Sequence, residues 1–156
     1  MIRYKWNKEM QKVFDSNNID LNTENLLPIS LKKFINKGIV VIDDCYYFKD
    51  FATPYSVNDD LFDRTGKECF ENKFYIDNYV DVNDDIEMLI LGISFVKCLA
   101  HKLESYNEPF CIILDNHDKS VDIRFHKIRV EETAYLMEDI DNYLEDSLFL
   151  AYVNNK

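Results

Sequence analysis

Between residues 84 and 127 the hydrophobic repeat switches from helical to alternating. That switch limits the chain to folds that set a helix against an antiparallel sheet. Asp84 and Glu87 have capping-box spacing, and Met88, Leu91, Phe95, Leu99 and Leu103 recur on one side of a helix of about twenty residues. "FCIIL", a polar turn at "DNHDK", and "SVDIRFHKI" then read as a hairpin, with Val121, Ile123 and Phe125 facing one way. "SLFLAYV" supplies a final strand.

The flanking segments extend this pattern. "YKWNKEMQKVFDSN" spaces Trp6, Met10, Val13 and Phe14 for a first amphipathic helix. In "NLLPISLKKFINKG", Pro28 suits a first helical turn, Leu31, Phe34 and Ile35 share a face, and Gly38 is placed as the stop. "IVVI" reads as a buried strand running on toward "CYYF". Residues 50 to 80, with Pro54, Asp59-Asp60 and "RTG", read as a long loop or irregular hairpin, and "NKFYIDNYV" has strand composition. "EETAYLMEDIDNYLED" is expected to form a last helix. There Glu138, Asp141 and Glu145 share one face, while Tyr135, Leu136, Ile140 and Leu144 turn to the core. With no repeat, linker or low-complexity tract, the expectation is one α+β domain over residues 1–156. It has a mostly antiparallel sheet, a long central helix and flanking helices.

Charge narrows the function. The net charge is −11, unevenly distributed: residues 1 to 38 hold seven Lys/Arg against four Asp/Glu, whereas residues 131 to 146 hold seven acids and no base. Such a surface repels polyanions and attracts basic partners, so direct nucleic-acid binding is disfavoured. The longest apolar run, "MLILGISFV", is about half a membrane span, and "MIRYKWNKEM" has no apolar stretch of a secretory signal. A cytoplasmic protein without membrane association is expected. Cys45, Cys69, Cys98 and Cys111 form no C-x-x-C pair; Cys98 and Cys111 lie in apolar segments, and no metal site is expected.

The chain carries no familiar catalytic motif. Its three glycines make no phosphate-cradling loop, and it has neither a G-x-S-x-G elbow nor H-E-x-x-H; no cofactor is expected. His117 in "DNHD" reads as turn chemistry rather than as a metal ligand beside Asp115 and Asp118. His126 lies about six residues farther along its strand, roughly 20 Å from the turn, so the two histidines share no site. His101 reads as a rim residue. Asp122, Arg124 and His126 share a strand face, and such a trio is more often a polar face or a structural bridge than an acid/base site. Ten of the 22 aromatic residues lie between Tyr46 and Tyr79, among the densest acids. They fill the core, or they anchor an interface whose flanking acids meet a basic protein.

The combination of an acidic one-domain chain, "VDIRFHKIR", a following Glu, "YLMEDIDNYLED" and a terminal apolar strand resembles immunity proteins of bacterial polymorphic-toxin systems. The likeness is greatest to those of contact-dependent growth inhibition, over residues 109 to 153. "LLPISLKKFINKG" is also similar to the "LP…F…NG" signature of a broad immunity superfamily, with Lys37-Gly38 where that family has a doubled glycine. The resemblance implies a cytoplasmic antidote that binds a cognate toxin domain, often a nuclease, and occludes its active or substrate-binding site.

These readings together lead to the expectation of a non-enzymatic inhibitor in a one-to-one complex with a basic toxin domain. One expected contact region is Asp43, Asp44, Tyr46, Tyr47, Asp59 and Asp60; the other is Glu138, Asp139, Asp141, Glu145 and Asp146. Two rivals stand beside it: an acidic nucleic-acid mimic or regulatory adaptor, and a small enzyme using Asp122, Arg124 and His126.

Overall fold

The strongest alternating segments of the chain meet as a five-stranded antiparallel sheet. A computed structural model describes residues 1–22, 27–52 and 62–156. The strands are β1 (Ile2–Trp6), β4 (Phe74–Tyr75), β5 (Phe110–His117), β6 (Ser120–Lys127) and β7 (Ser147–Val153), in the order β1-β7-β5-β6-β4. A separate hairpin is made of β2 (Ile39–Ile42) and β3 (Cys45–Phe48). The helices are α1 (Lys8–Asn17), α2 (Ile29–Asn36), α3 (Arg64–Glu71) and α4 (Asp85–Glu104). The fold is α+β.

The expected central helix is α4. Asp84 accepts from the amides of Ile86 and Glu87 at its N-terminus, and Met88, Phe95, Leu99 and Leu103 are buried. Gly92 lets it lie close on the sheet: a Cβ there would come within 2.7 Å of a Val121 methyl. Helices α1, α2 and α4 cover one sheet face through Met10, Phe14, Leu31 and Phe34, packed against Phe110, Ile112, Phe125 and Phe149. The other face carries a smaller core of Cys111, Ile113, Leu148 and Leu150, closed by Ile140 and partly by Leu136 and Tyr143.

Four expectations are corrected. The first helix does not begin near Tyr4, because Tyr4 to Trp6 belong to β1 and the helix starts at Lys8. Asn7 breaks the chain there. Its Oδ1 accepts from the Met10 amide at 3.0 Å, and its Nδ2 donates to the Asp146 carbonyl at 2.8 Å. "IVVI" and "CYYF" are not one buried run. They are two strands around Asp43 and Asp44, both at positive φ (51° and 60°), and only β3 is fully buried.

The third correction falls in residues 50 to 80, where "RTG" opens α3 and the Asp63 carboxylate accepts from the Gly66 amide at 2.7 Å. "NKFYIDNYV" yields only the two residues of β4 and a 3-10 turn at Ile76–Asn78. Pro54, Asp59 and Asp60 lie outside the described residues. The fourth correction is the last helix, which is absent. Residues 128 to 146 form an irregular strap with a single 3-10 turn at Ile140–Asn142. A helix there would stack like charges at Glu138, Asp141 and Glu145, three and four residues apart, with no base to relieve them. Asp139 instead accepts from the Asp141 amide at 3.0 Å, the local bonding by which Asp competes with helix.

The hairpin and the sheet are joined by side chains. Among the described residues no backbone hydrogen bond links β3 to β6. Two polar residues at the end of α3 stand between them. Glu68 accepts from the amides of Tyr46 and Lys127, each at 2.8 Å. Asn72 accepts from the Phe48 amide at 3.0 Å and donates to the carbonyls of Tyr46 and Phe125 at 2.8 and 3.2 Å. Asn72→Ala is expected to leave one amide and two carbonyls buried without partners. The loss is about 3 kcal/mol of stability, read as a lower urea midpoint; an unchanged midpoint would mean the stitch contributes nothing.

Candidate functional site

The strap is held at both ends and open in the middle. At its start, Arg129 is buried against Glu68, donating to both carboxylate oxygens at 3.0 and 2.7 Å. Burial pushes the Glu68 carboxyl up. Yet all four contacts on its two oxygens come from donors, which only the ionised carboxylate can satisfy. Glu132 accepts from the Thr65 amide at 2.8 Å, and Arg64 reaches Glu131, Glu132 and Asp44 at 2.7, 3.1 and 2.8 Å. At the strap's far end, Asp141 accepts from the Lys8 amide at 2.7 Å and Asp146 meets His117 at 2.9 Å. The carboxylates of Asp118 and Asp146 raise the His117 pKa.

Between these anchors the strap presents apolar side chains to solvent. Val130 is fully exposed, Leu144 is 75% exposed, and Tyr135 and Met137 are 40% and 46% exposed. Glu138, Asp139 and Glu145 stand among them, also exposed. Across a groove of about 620 Å³, the stacked rings of Phe62 and Phe70 extend the apolar surface, with centroids 5.7 Å apart. Exposed apolar groups beside acidic ones make this segment the candidate interaction surface among the described residues.

The expected contact residues divide sharply. Glu138, Asp139 and Glu145 are exposed on the strap, but no helix face unites them with Asp141 and Asp146, which serve as internal anchors. Asp43 is exposed at the hairpin turn, whereas Asp44 is tied to Arg64 and Lys127; desolvation pushes its carboxyl up, but Lys127, Arg129 and Arg64 together hold it below the usual range. Tyr46 and Tyr47 are 8% and 6% exposed, so their rings are core and not surface anchors. Asp59 and Asp60 lie outside the described residues. The exposed residues Val130, Met137 and Leu144 were missed because a helical repeat had turned Leu144 inward and left the others unassigned.

The polar strand face lies under the strap. Asp122 and Arg124 pair at 3.0 Å, and Tyr135 covers Arg124, its ring 5.5 Å from the guanidinium and its hydroxyl in contact with it. His126 donates through Nδ1 to the Lys127 carbonyl at 2.9 Å; burial lowers its pKa, and it shares no hydrogen bond with Asp122. Asp115, opposite Asp122 on β5, lines a cleft of about 410 Å³ with Arg124, Tyr135, Tyr143 and Asp146. Its Oδ1 is buried without a hydrogen-bond partner. Burial first, then the charges of Asp146 and Asp122, push its pKa up to about 6.

A family model described as the uncharacterized protein PM0498 family matches residues 5–154. The chain belongs to that family. It is similar to uncharacterized protein PM0498 of Pasteurella multocida (strain Pm70), 24% identical over 154 residues, covering 90% of this chain and 91% of the relative. No solved structure matches. The family match takes in four of the five sheet strands, the end of β1, α3 and the whole strap, so the surface described above lies inside the shared domain. Among the described residues no helix is long and apolar enough to cross a membrane.

Asp115 generates a pH prediction. Its carboxyl titrates near 6 when folded and near 4 when unfolded, so the folded state holds the proton longer. Stability is therefore lost as pH rises through about 4 to 6. Asp115→Asn is expected to stabilise the protein by about 1–2 kcal/mol at pH 7, after allowance for partial solvent screening, and by only about a fifth of that near pH 4. Melting temperatures at the two pH values check this; an equal shift at both would point to a cause other than ionisation.

Proposed function

We propose that this chain is a non-enzymatic immunity-type inhibitor that binds a basic toxin domain through the strap, one to one, and blocks its active or substrate-binding surface. One observation carries the reading: a tethered segment with no Lys or Arg between Val130 and Asp146 sets exposed Val130, Tyr135, Met137 and Leu144 among exposed acids. Apolar groups of this kind bury area on docking, and the acids steer a cationic partner and select against others. A nuclease is the partner class the chemistry favours. Such an enzyme must grip phosphates with Lys and Arg, and the strap's carboxylates occupy those cations in place of a nucleic-acid backbone. The reading places the protein in the cytoplasm, where an incoming nuclease would act, and needs no metal or cofactor.

The proposal differs from its sequence-based form in where the surface lies. The aromatic cluster of β3 is core, and the docking groups belong to the strap and to the Phe62–Phe70 pair. Glu138 and Glu145 are the acids with the least internal work, so they are the ones to reverse. The partner for the test is to be sought in the neighbouring reading frames, as the variable C-terminal domain of a large secreted protein; a neighbourhood without one counts against the reading. Glu138→Lys with Glu145→Lys is expected to slow association by about tenfold or more at low salt and to flatten the salt dependence. Leu144→Asp should speed dissociation. If that domain is harmless to cells, or if it binds the reversed protein as fast as the original, the inhibitor reading fails.

A further inference from the structure

The hairpin has one stitched edge and one open edge. Glu68 and Asn72 occupy the outer side of β3, as described above. On the other side, among the described residues, no strand pairs with β2. The direction of its backbone groups follows from the register. Lys49 donates to the Gly38 carbonyl at 3.1 Å, and the pairing continues as Val40 opposite Tyr47 and Ile42 opposite Cys45. In an antiparallel ladder, bonded and non-bonded pairs alternate, so the amides and carbonyls of Ile39 and Val41 point away from β3. Ile39's carbonyl receives only a long contact from the Tyr106 hydroxyl, at 3.5 Å, which leaves a lone pair open.

Shortness is the main protection this edge has. It contains no Lys, Pro or Gly, all four residues are β-branched, and Val41 and Ile42 are 50% and 41% exposed. Antiparallel pairing with a second copy, Ile39 against Val41 and Val40 against Val40, lets the outward groups of Ile39 and Val41 form four hydrogen bonds and places no like charges opposite one another. The same two-fold brings the Lys37 end of one strand to the Asp43 end of the other, and both residues are exposed.

We propose that β2 is a self-association edge through which two copies of this chain pair antiparallel across a two-fold axis, joining their hairpins into a four-stranded sheet. A second copy fits the edge because its own Ile39 and Val41 present the matching amides and carbonyls in register, and its Asp43 meets a Lys37 that already pairs with Asp50 at 2.6 Å and has further N–H donors to give. Four residues bury little area, and the pairing is accordingly weak and concentration-dependent. It is independent of the strap and of the inhibitor reading.

The test is sedimentation equilibrium of the full chain over about a hundredfold range of concentration up to the near-millimolar, with hydrogen exchange at both extremes. The wild-type protein is expected to dimerise as concentration rises. Val41→Lys is expected to weaken the dimer by about tenfold or more, and Lys37→Glu by several-fold, with unchanged circular dichroism. In the wild type the Val41 amide should exchange more slowly at high concentration, while the Val40 amide, already bonded to β3, should not change. A monomer throughout the range, or a Val41 amide indifferent to concentration, overturns the proposal whether or not the variants fold.

Discussion

Two side chains, Glu68 and Asn72, take the place of a missing strand. The β2–β3 hairpin and the five-stranded sheet approach each other without a shared backbone hydrogen bond, and the facing amides and carbonyls would be left buried and unpaired. Residues four apart at the end of α3 reach both sides, and between them they serve Tyr46, Phe48, Phe125 and Lys127. Arg129 closes the arrangement by neutralising Glu68. A buried carboxylate without its guanidinium would cost several kcal/mol, so the stitch, the pairing and the start of the strap stand or fall together.

That dependence explains how an irregular segment can be placed firmly. The strap has no helix or strand to order it, and its own residues contribute few buried groups beyond Ile140, Leu136 and Tyr143. It is ordered instead by tethers: Arg129 and Glu132 on α3 at one end, and Asn7, Lys8 and His117 holding the other. The acids thus have two kinds of work. Asp44, Glu132, Asp141 and Asp146 are spent on the molecule itself, while Asp43, Glu138 and Glu145 face solvent. A count of charges cannot separate the two kinds, because both contribute equally to −11.

Asp115 and its neighbours show a further consequence of covering a polar strand face with an acidic strap. Asp122 finds Arg124, and Asp146 finds His117, but Asp115 has one oxygen without a partner. The trio of Asp122, Arg124 and His126 is thereby a bridge and a packed histidine beneath Tyr135, each bound to its own neighbour.

The sequence by itself determined the elements whose side chains repeat over many residues. Helix α4 with its Asp84 cap, the β5–β6 hairpin with Val121, Ile123 and Phe125 inward, β7, and α2 ending at Gly38 were all legible, because a sustained repeat leaves one face to bury. Tertiary structure decided the rest. Trp6 fell to a strand because Asn7 is needed to cap α1 and hold the strap; α3 was invisible because its buried residues, Thr65, Glu68 and Cys69, include a charge that only Arg129 makes tolerable. Residues 130 to 146 had a helical repeat but the wrong charges for it, and contacts with Asn7, Lys8 and His117 outweighed propensity. Local pattern reports what a segment can bury; where its polar groups find partners depends on residues distant in the chain, and only the folded molecule brings those together.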